Sequence, residues 1–102
     1  MSFDDKLAAR CRAALQEEPG ITERRMFGGL SFLLHGNMIC GVIERRLVVR
    51  LGAGEAYARA LQLAHVEPMD FTGRPLRGFV YIRPEGLTGA GLQHWVRQAA
   101  GF

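Results

Sequence analysis

The chain has 102 residues, of which 48% are hydrophobic and 23% charged, and carries a formal net charge of +3. That length holds a single core and excludes a second domain, and the balance of apolar to charged residues excludes a disordered tail. No apolar run reaches the roughly 20 residues of a membrane span, and the acidic start Met1-Ser2-Phe3-Asp4-Asp5 does not suit a secretory signal, so the expected compartment is the cytoplasm with no membrane partner.

Taken in chain order, Ser2 followed by Asp5 approximates a capping box, and Phe3, Leu7, Cys11 and Leu15 recur at helical spacing up to Pro19-Gly20. They predict an amphipathic helix over about Phe3 to Glu17. From Thr22 the period changes to two, which predicts four strands: Thr22 to Phe27, Leu30 to Leu34, Met38 to Glu44 and Leu47 to Leu51. His35-Gly36-Asn37 tolerates positive φ and is the clearest hairpin turn, with Glu44-Arg45-Arg46 the next reversal.

Beyond Gly52-Ala53-Gly54, a short helix over Glu55 to Ala64 turns Tyr57, Leu61 and Ala64 inward. His65 to Leu76, broken by Pro68, Gly73 and Pro75, reads as a long connection. Gly78 to Arg83 is a fifth strand whose unbroken apolarity sets it inside the sheet. Thr88 caps a last helix lined by Leu92, Trp95, Val96 and Ala99 and ended by Gly101. The order α-β-β-β-β-α-β-α predicts an α+β class: one mainly antiparallel five-stranded sheet with helices packed on it. Such a sheet has edges to hide, which makes a homodimer the expected assembly.

The chemistry-bearing residues do not assemble into a catalytic pattern. His35, His65 and His94 lack the local pairing of a zinc site, and Cys11 and Cys40 read as buried thiols. Serine occurs at Ser2 and Ser31, read as a cap and a strand residue, so no nucleophile with an oriented base stands out. No catalytic residue, metal ligand or cofactor is assigned. Phe79 and Tyr81, interleaved with Arg77 and Arg83, could stack bases but read as core. The acidic pair Glu17-Glu18 falls at the predicted helix C-terminus, against the helix dipole.

The most distinctive stretch is Arg24-Arg25-Met26-Phe27-Gly28-Gly29-Leu30. It is either a glycine turn cradling an anion or a tight turn between strands, with Met26 and Phe27 packing on opposite faces; it has neither the spacing of a dinucleotide fingerprint nor a P-loop lysine. Of the thirteen basic residues only Lys6 is lysine. Arginine recognises carboxylate and phosphate bidentately, and Arg24, Arg25, Arg45, Arg46 and Arg50 form the candidate interaction surface.

Arg25-Met26-Phe27-Gly28-Gly29, the turn His35-Gly36-Asn37-Met38, the strand reaching Leu47-Val48-Val49-Arg50, Phe79-Val80-Tyr81-Ile82-Arg83-Pro84 and the helix carrying Trp95 together resemble the N-terminal domain of the TfoX/Sxy competence regulators. The resemblance covers nearly the whole chain, and Met26-Phe27-Gly28-Gly29 is its most specific part. It implies a secretion-chaperone-like α/β sandwich and a regulator of natural transformation working with the cyclic AMP receptor protein through protein contacts. Full-length members carry a second, helical C-terminal domain, so the resemblance implies a stand-alone copy of the first and transfers no catalytic residue.

The leading expectation is a non-enzymatic, homodimeric interaction module linked to transcription, with a large apolar patch on the isolated monomer. One alternative is a direct nucleic-acid binder using the five arginines. Another is a small enzyme or ligand-binding protein with a pocket between sheet and helices.

Overall fold

The computed structural model describes residues 3–26, 28–71 and 74–101. The first helix, α1, spans Asp5–Ala14. It starts at Asp4, whose Oδ1 accepts the N–H groups of Lys6 (2.8 Å) and Leu7 (3.1 Å). An Asp cap of this kind is worth about 1 kcal/mol. Asp4 therefore takes the role expected of Ser2, which lies outside the described residues. The helix is also shorter than its apolar spacing suggested, because Leu15 already leaves the helical conformation (ψ 3°). Glu17 and Glu18 thus follow the helix in a turn, and the conflict with the dipole disappears.

Six antiparallel strands follow: β1 (Ile21–Met26), β2 (Gly29–Leu34), β3 (Asn37–Ile43), β4 (Arg46–Arg50), β5 (Val66–Phe71) and β6 (Arg74–Ile82). They pair in the order β1-β2-β3-β4-β6-β5. The five-strand expectation is corrected to six: β5 occupies the stretch read as a connection. Pro68 argued against a strand there, but β5 is an edge strand and its register shifts between Pro68 and Asp70, the two settings in which a sheet tolerates proline. β6 lies between β4 and β5, inside the sheet as its apolarity required.

The reversals obey backbone chemistry. His35 and Gly36 both have positive φ (51° and 87°) between the paired residues Leu34 and Asn37, the two-residue turn whose twist suits a hairpin. Glu44 (φ 57°) makes the next turn before Arg46. Between β1 and β2, Gly28 takes φ 74°, while Phe27 lies outside the described residues. Gly29 is already in β2, where a Cβ would overlap the Val42 carbonyl oxygen. The two motif glycines therefore do different work, one turning the chain and the other letting β3 approach.

After β4, α2 spans only Glu55–Ala60, so Ala60 is buried and Ala64 is exposed rather than inward. A 3-10 turn, Pro84–Leu87, precedes α3 (Gly91–Ala100). Thr88 does not cap α3: the N-cap is Ala90, and the Thr88 carbonyl accepts the Gly91 N–H at 3.0 Å.

One face of the sheet packs on the helices. Leu7 and Cys11 from α1, Leu15 just beyond it, and Leu92, Trp95, Val96 and Ala99 from α3 meet Leu30, Phe32, Cys40, Val42, Leu47, Val49, Val80 and Ile82. Each large apolar side chain buried there contributes about 1.5–3 kcal/mol. On the opposite face Ile43, Val48, Met69 and Tyr81 form a smaller cluster, flanked by Met38, Leu76 and Phe79.

Candidate interaction surface

Strand alternation distributes the five candidate arginines. In β1, Ile21, Glu23 and Arg25 point to the helix side and Thr22, Arg24 and Met26 to the other. Arg24 stands in a row that crosses the whole sheet through its paired neighbours: Arg24, Ser31, Gly41, Val48, Tyr81 and Glu67. The row begins basic, passes small residues on β2 and β3, and ends acidic.

Arg46 and Arg50 share that face. The Arg46 guanidinium carbon lies 3.8 Å from the Tyr81 ring centroid, and its Nη2 is 3.2 Å from Glu44 Oε1. Arg50 donates to the Met38 carbonyl at 3.5 Å, among its other interactions. Arg25 lies on the helix side with its guanidinium 5.4 Å from the Phe3 ring centroid. Arg45, at the turn after β3, lines a cleft of about 180 Å³ with Asp4, Leu7, Arg10, Pro84 and Leu87. The structure thus gathers Arg24, Arg46 and Arg50 on one face and leaves Arg25 and Arg45 on the other side.

One expectation holds here and another changes. Tyr81 is 6% exposed with Arg46 across its ring, so it is a covered part of the second cluster rather than an open stacking platform. The expected apolar patch is not built from exposed large side chains: among the described residues Leu63 is the one of that kind, and Met38, Leu76 and Phe79 are half-buried beside the second cluster.

Other polar groups meet in ways the sequence spacing hid. Arg12 Nε donates to Glu23 Oε2 at 2.5 Å and its Nη2 to Oε1 at 2.9 Å, tying α1 to β1. That bidentate bond, reinforced by the arginine charge, holds the Glu23 carboxyl below the usual carboxylate range. Arg83 donates to the Ala64 carbonyl at 2.5 Å and lies 3.5 Å from both Glu67 and Glu85. His65 and His94, distant in sequence, flank Trp95 edge-on at 6.3 and 5.2 Å.

Among the described residues no group of three or more His, Cys, Asp or Glu side chains gathers to hold a metal. No helix among them is long and apolar enough to cross a membrane. Burial pushes the Cys11 thiol up to about 12 against the partial opposition of Arg10 and Arg12, and raises Cys40 as well, with Cys11 adding to the effect. Both thiols are therefore core groups. Surface depressions lie along the seam of α1 and α3, on the outer side of the helix layer. One of these, about 430 Å³, is lined by Ala13, Ala14, Glu17, Glu18, Gln93 and Arg97, among others. The sequence carried a trace of this groove only in the Glu17-Glu18 pair.

The family model described as TfoX N-terminal domain matches residues 13–102. No curated protein matches the chain, and no solved structure matches it.

Proposed function

The chain belongs to the TfoX N-terminal domain family, and on that premise we propose that it is a non-enzymatic interaction module of the cytoplasm that acts on transcription by binding a regulator protein. The family is one associated with competence and regulation. The observation that carries the reading is the division of the sheet: one face is packed under α1, α2 and α3, while the other presents Arg24, Arg46 and Arg50 around a small apolar cluster. A polar, arginine-set face of this kind suits a partner that brings carboxylates, with the guanidinium groups supplying direction and the main chain the frame.

Co-purification of the tagged chain from its native cells, split into nuclease-treated and untreated halves, tests the reading. A transcription regulator or polymerase subunit retained after nuclease treatment is the expected result. Loss of every companion on nuclease treatment, together with oligonucleotide affinity that falls steeply with salt, overturns it in favour of direct nucleic-acid binding through the same arginines.

The homodimer belongs to this proposal too. With Leu63 the one exposed large hydrophobic among the described residues, its contacts would be polar, so we expect a weak, concentration-dependent dimer in sedimentation velocity. A single monomeric species across the concentration series removes that part.

A further inference from the structure

The outer edge of β1 is an open half-ladder. The His35 N–H donates to the Gly20 carbonyl at 3.1 Å, and the β1–β2 register continues from there without a shift to Met26 and Gly29. In an antiparallel pair, residues that exchange main-chain bonds alternate with residues that do not. Thr22, Arg24 and Met26 therefore bond to β2, and the N–H and C=O groups of Ile21, Glu23 and Arg25 point away from the sheet. No strand pairs with that edge among the described residues, and residues 22–25 are exposed. The opposite edge differs: β5 carries Pro68 and a register shift, both of which spoil an incoming ladder.

From this we propose that the outer edge of β1 accepts an extended acidic segment of a partner protein as a seventh strand. The proposal rests on the interaction-module reading and names the partner's chemistry. Charge selects the guest. Glu23 is held by Arg12, whereas Arg24 and Arg25 have no carboxylate partner among the described residues and stand on opposite faces of the same edge. Side chains of a guest strand also alternate between faces, so carboxylates on either side of it meet an arginine.

A second copy of the chain fits poorly. Residues directly opposite in an added antiparallel strand share a face, so a symmetric pairing is centred on one residue and its own copy. Centring on Arg24 sets two arginines together, with each Glu23, already held by Arg12, opposite the copy's Arg25, and centring on Glu23 sets two carboxylates together; like charges directly opposite destabilise a sheet. The two central registers are thus unfavourable for a second copy, whereas an acidic strand meets an arginine on either face.

The test uses a short labelled peptide alternating glutamate with valine, and its lysine–valine counterpart, followed by fluorescence anisotropy. The intact chain is expected to bind the first and not the second, and the Ile21 and Arg25 amides to gain protection from hydrogen exchange on saturation. Glu23→Pro removes an outward N–H that β2 does not use, so it is expected to weaken binding about tenfold while Glu23→Ala retains it. Arg25→Glu is expected to weaken the glutamate peptide and favour the lysine peptide, which keeps the test open if the proline variant fails to fold.

Binding that ignores Glu23→Pro in a folded chain, absence of protection at the two amides, or no binding of either peptide overturns the proposal. So does an oligonucleotide that competes for the same site with no effect of the proline. A Glu23→Pro chain that still captures the regulator in the nuclease-resistant co-purification removes the edge site and leaves the interaction-module reading standing.

Discussion

Replacing Gly29 by alanine is expected to cost about 3 kcal/mol of stability and to lower the melting temperature on the order of 15 °C, whereas Gly28→Ala costs about 1–2 kcal/mol. The two positions fail for different reasons. Gly28 has φ 74°, where alanine meets a backbone penalty. Gly29 sits in β2 with the Val42 carbonyl where its Cβ would be, and Ile43 Cγ1 2.9 Å away. Leu30 pairs with Val42 in the same ladder, so the carbonyl cannot withdraw without opening β2 from β3. Thermal denaturation of the two single variants checks the order of effects. If Gly29→Ala melts like the parent chain, close approach is not what that glycine provides, and phosphate binding by the loop becomes the question to pursue.

The contrast shows which parts of the molecule its residues announce. Period-two alternation located β2, β3 and β4, and the His35-Gly36 turn fixed the first long hairpin, because those features are local and need no partner to be read. β5 was hidden, since Val66–Phe71 contains a proline and an edge strand tolerates it for reasons of position in the sheet rather than of sequence. The end of α1 was misplaced for a related reason: Leu15 stays buried in the turn beyond the helix, so its apolar spacing outlasts the helix itself.

The candidate surface divides the same way. Arginine type and count were visible, but alternation across six strands decided that Arg24, Arg46 and Arg50 share a face while Arg25 does not. The contact of Arg12 with Glu23 joins residues eleven apart on different elements. It leaves Arg24 and Arg25 as the cations of the β1 edge without a carboxylate partner among the described residues, a property that no spacing rule displays.

At alkaline pH the chain is expected to lose stability through its two thiols, and the sign follows from their burial. Cys11 and Cys40 are fully buried, with the Cys11 thiol pushed up to about 12 and Cys40 also raised, both first by loss of solvent. In the unfolded chain a cysteine ionises near about 8.5. Stability is therefore complete below that pH and falls as pH rises toward the folded values, because there the unfolded state binds fewer protons than the folded one. By about pH 10.5 each thiol removes on the order of 2.5 kcal/mol, and the pair removes an amount comparable to the whole stability of a small domain. Glu23 works in the opposite direction at acid pH: its contribution is present above the ordinary carboxylate pKa and is lost as pH falls through the depressed one, but the pair with Arg12 is exposed and the effect small. Urea midpoints measured at mildly and strongly alkaline pH separate the thiols from other titrations. Cys40→Ala is expected to halve the decline and the Cys11→Ala, Cys40→Ala double variant to remove most of it, since the cavities left behind cost the same at either pH. A decline that persists undiminished in the double variant would place its origin elsewhere. It would also remove the physical ground for treating both cysteines as inert core groups, and they would then have to be tested as reactive thiols.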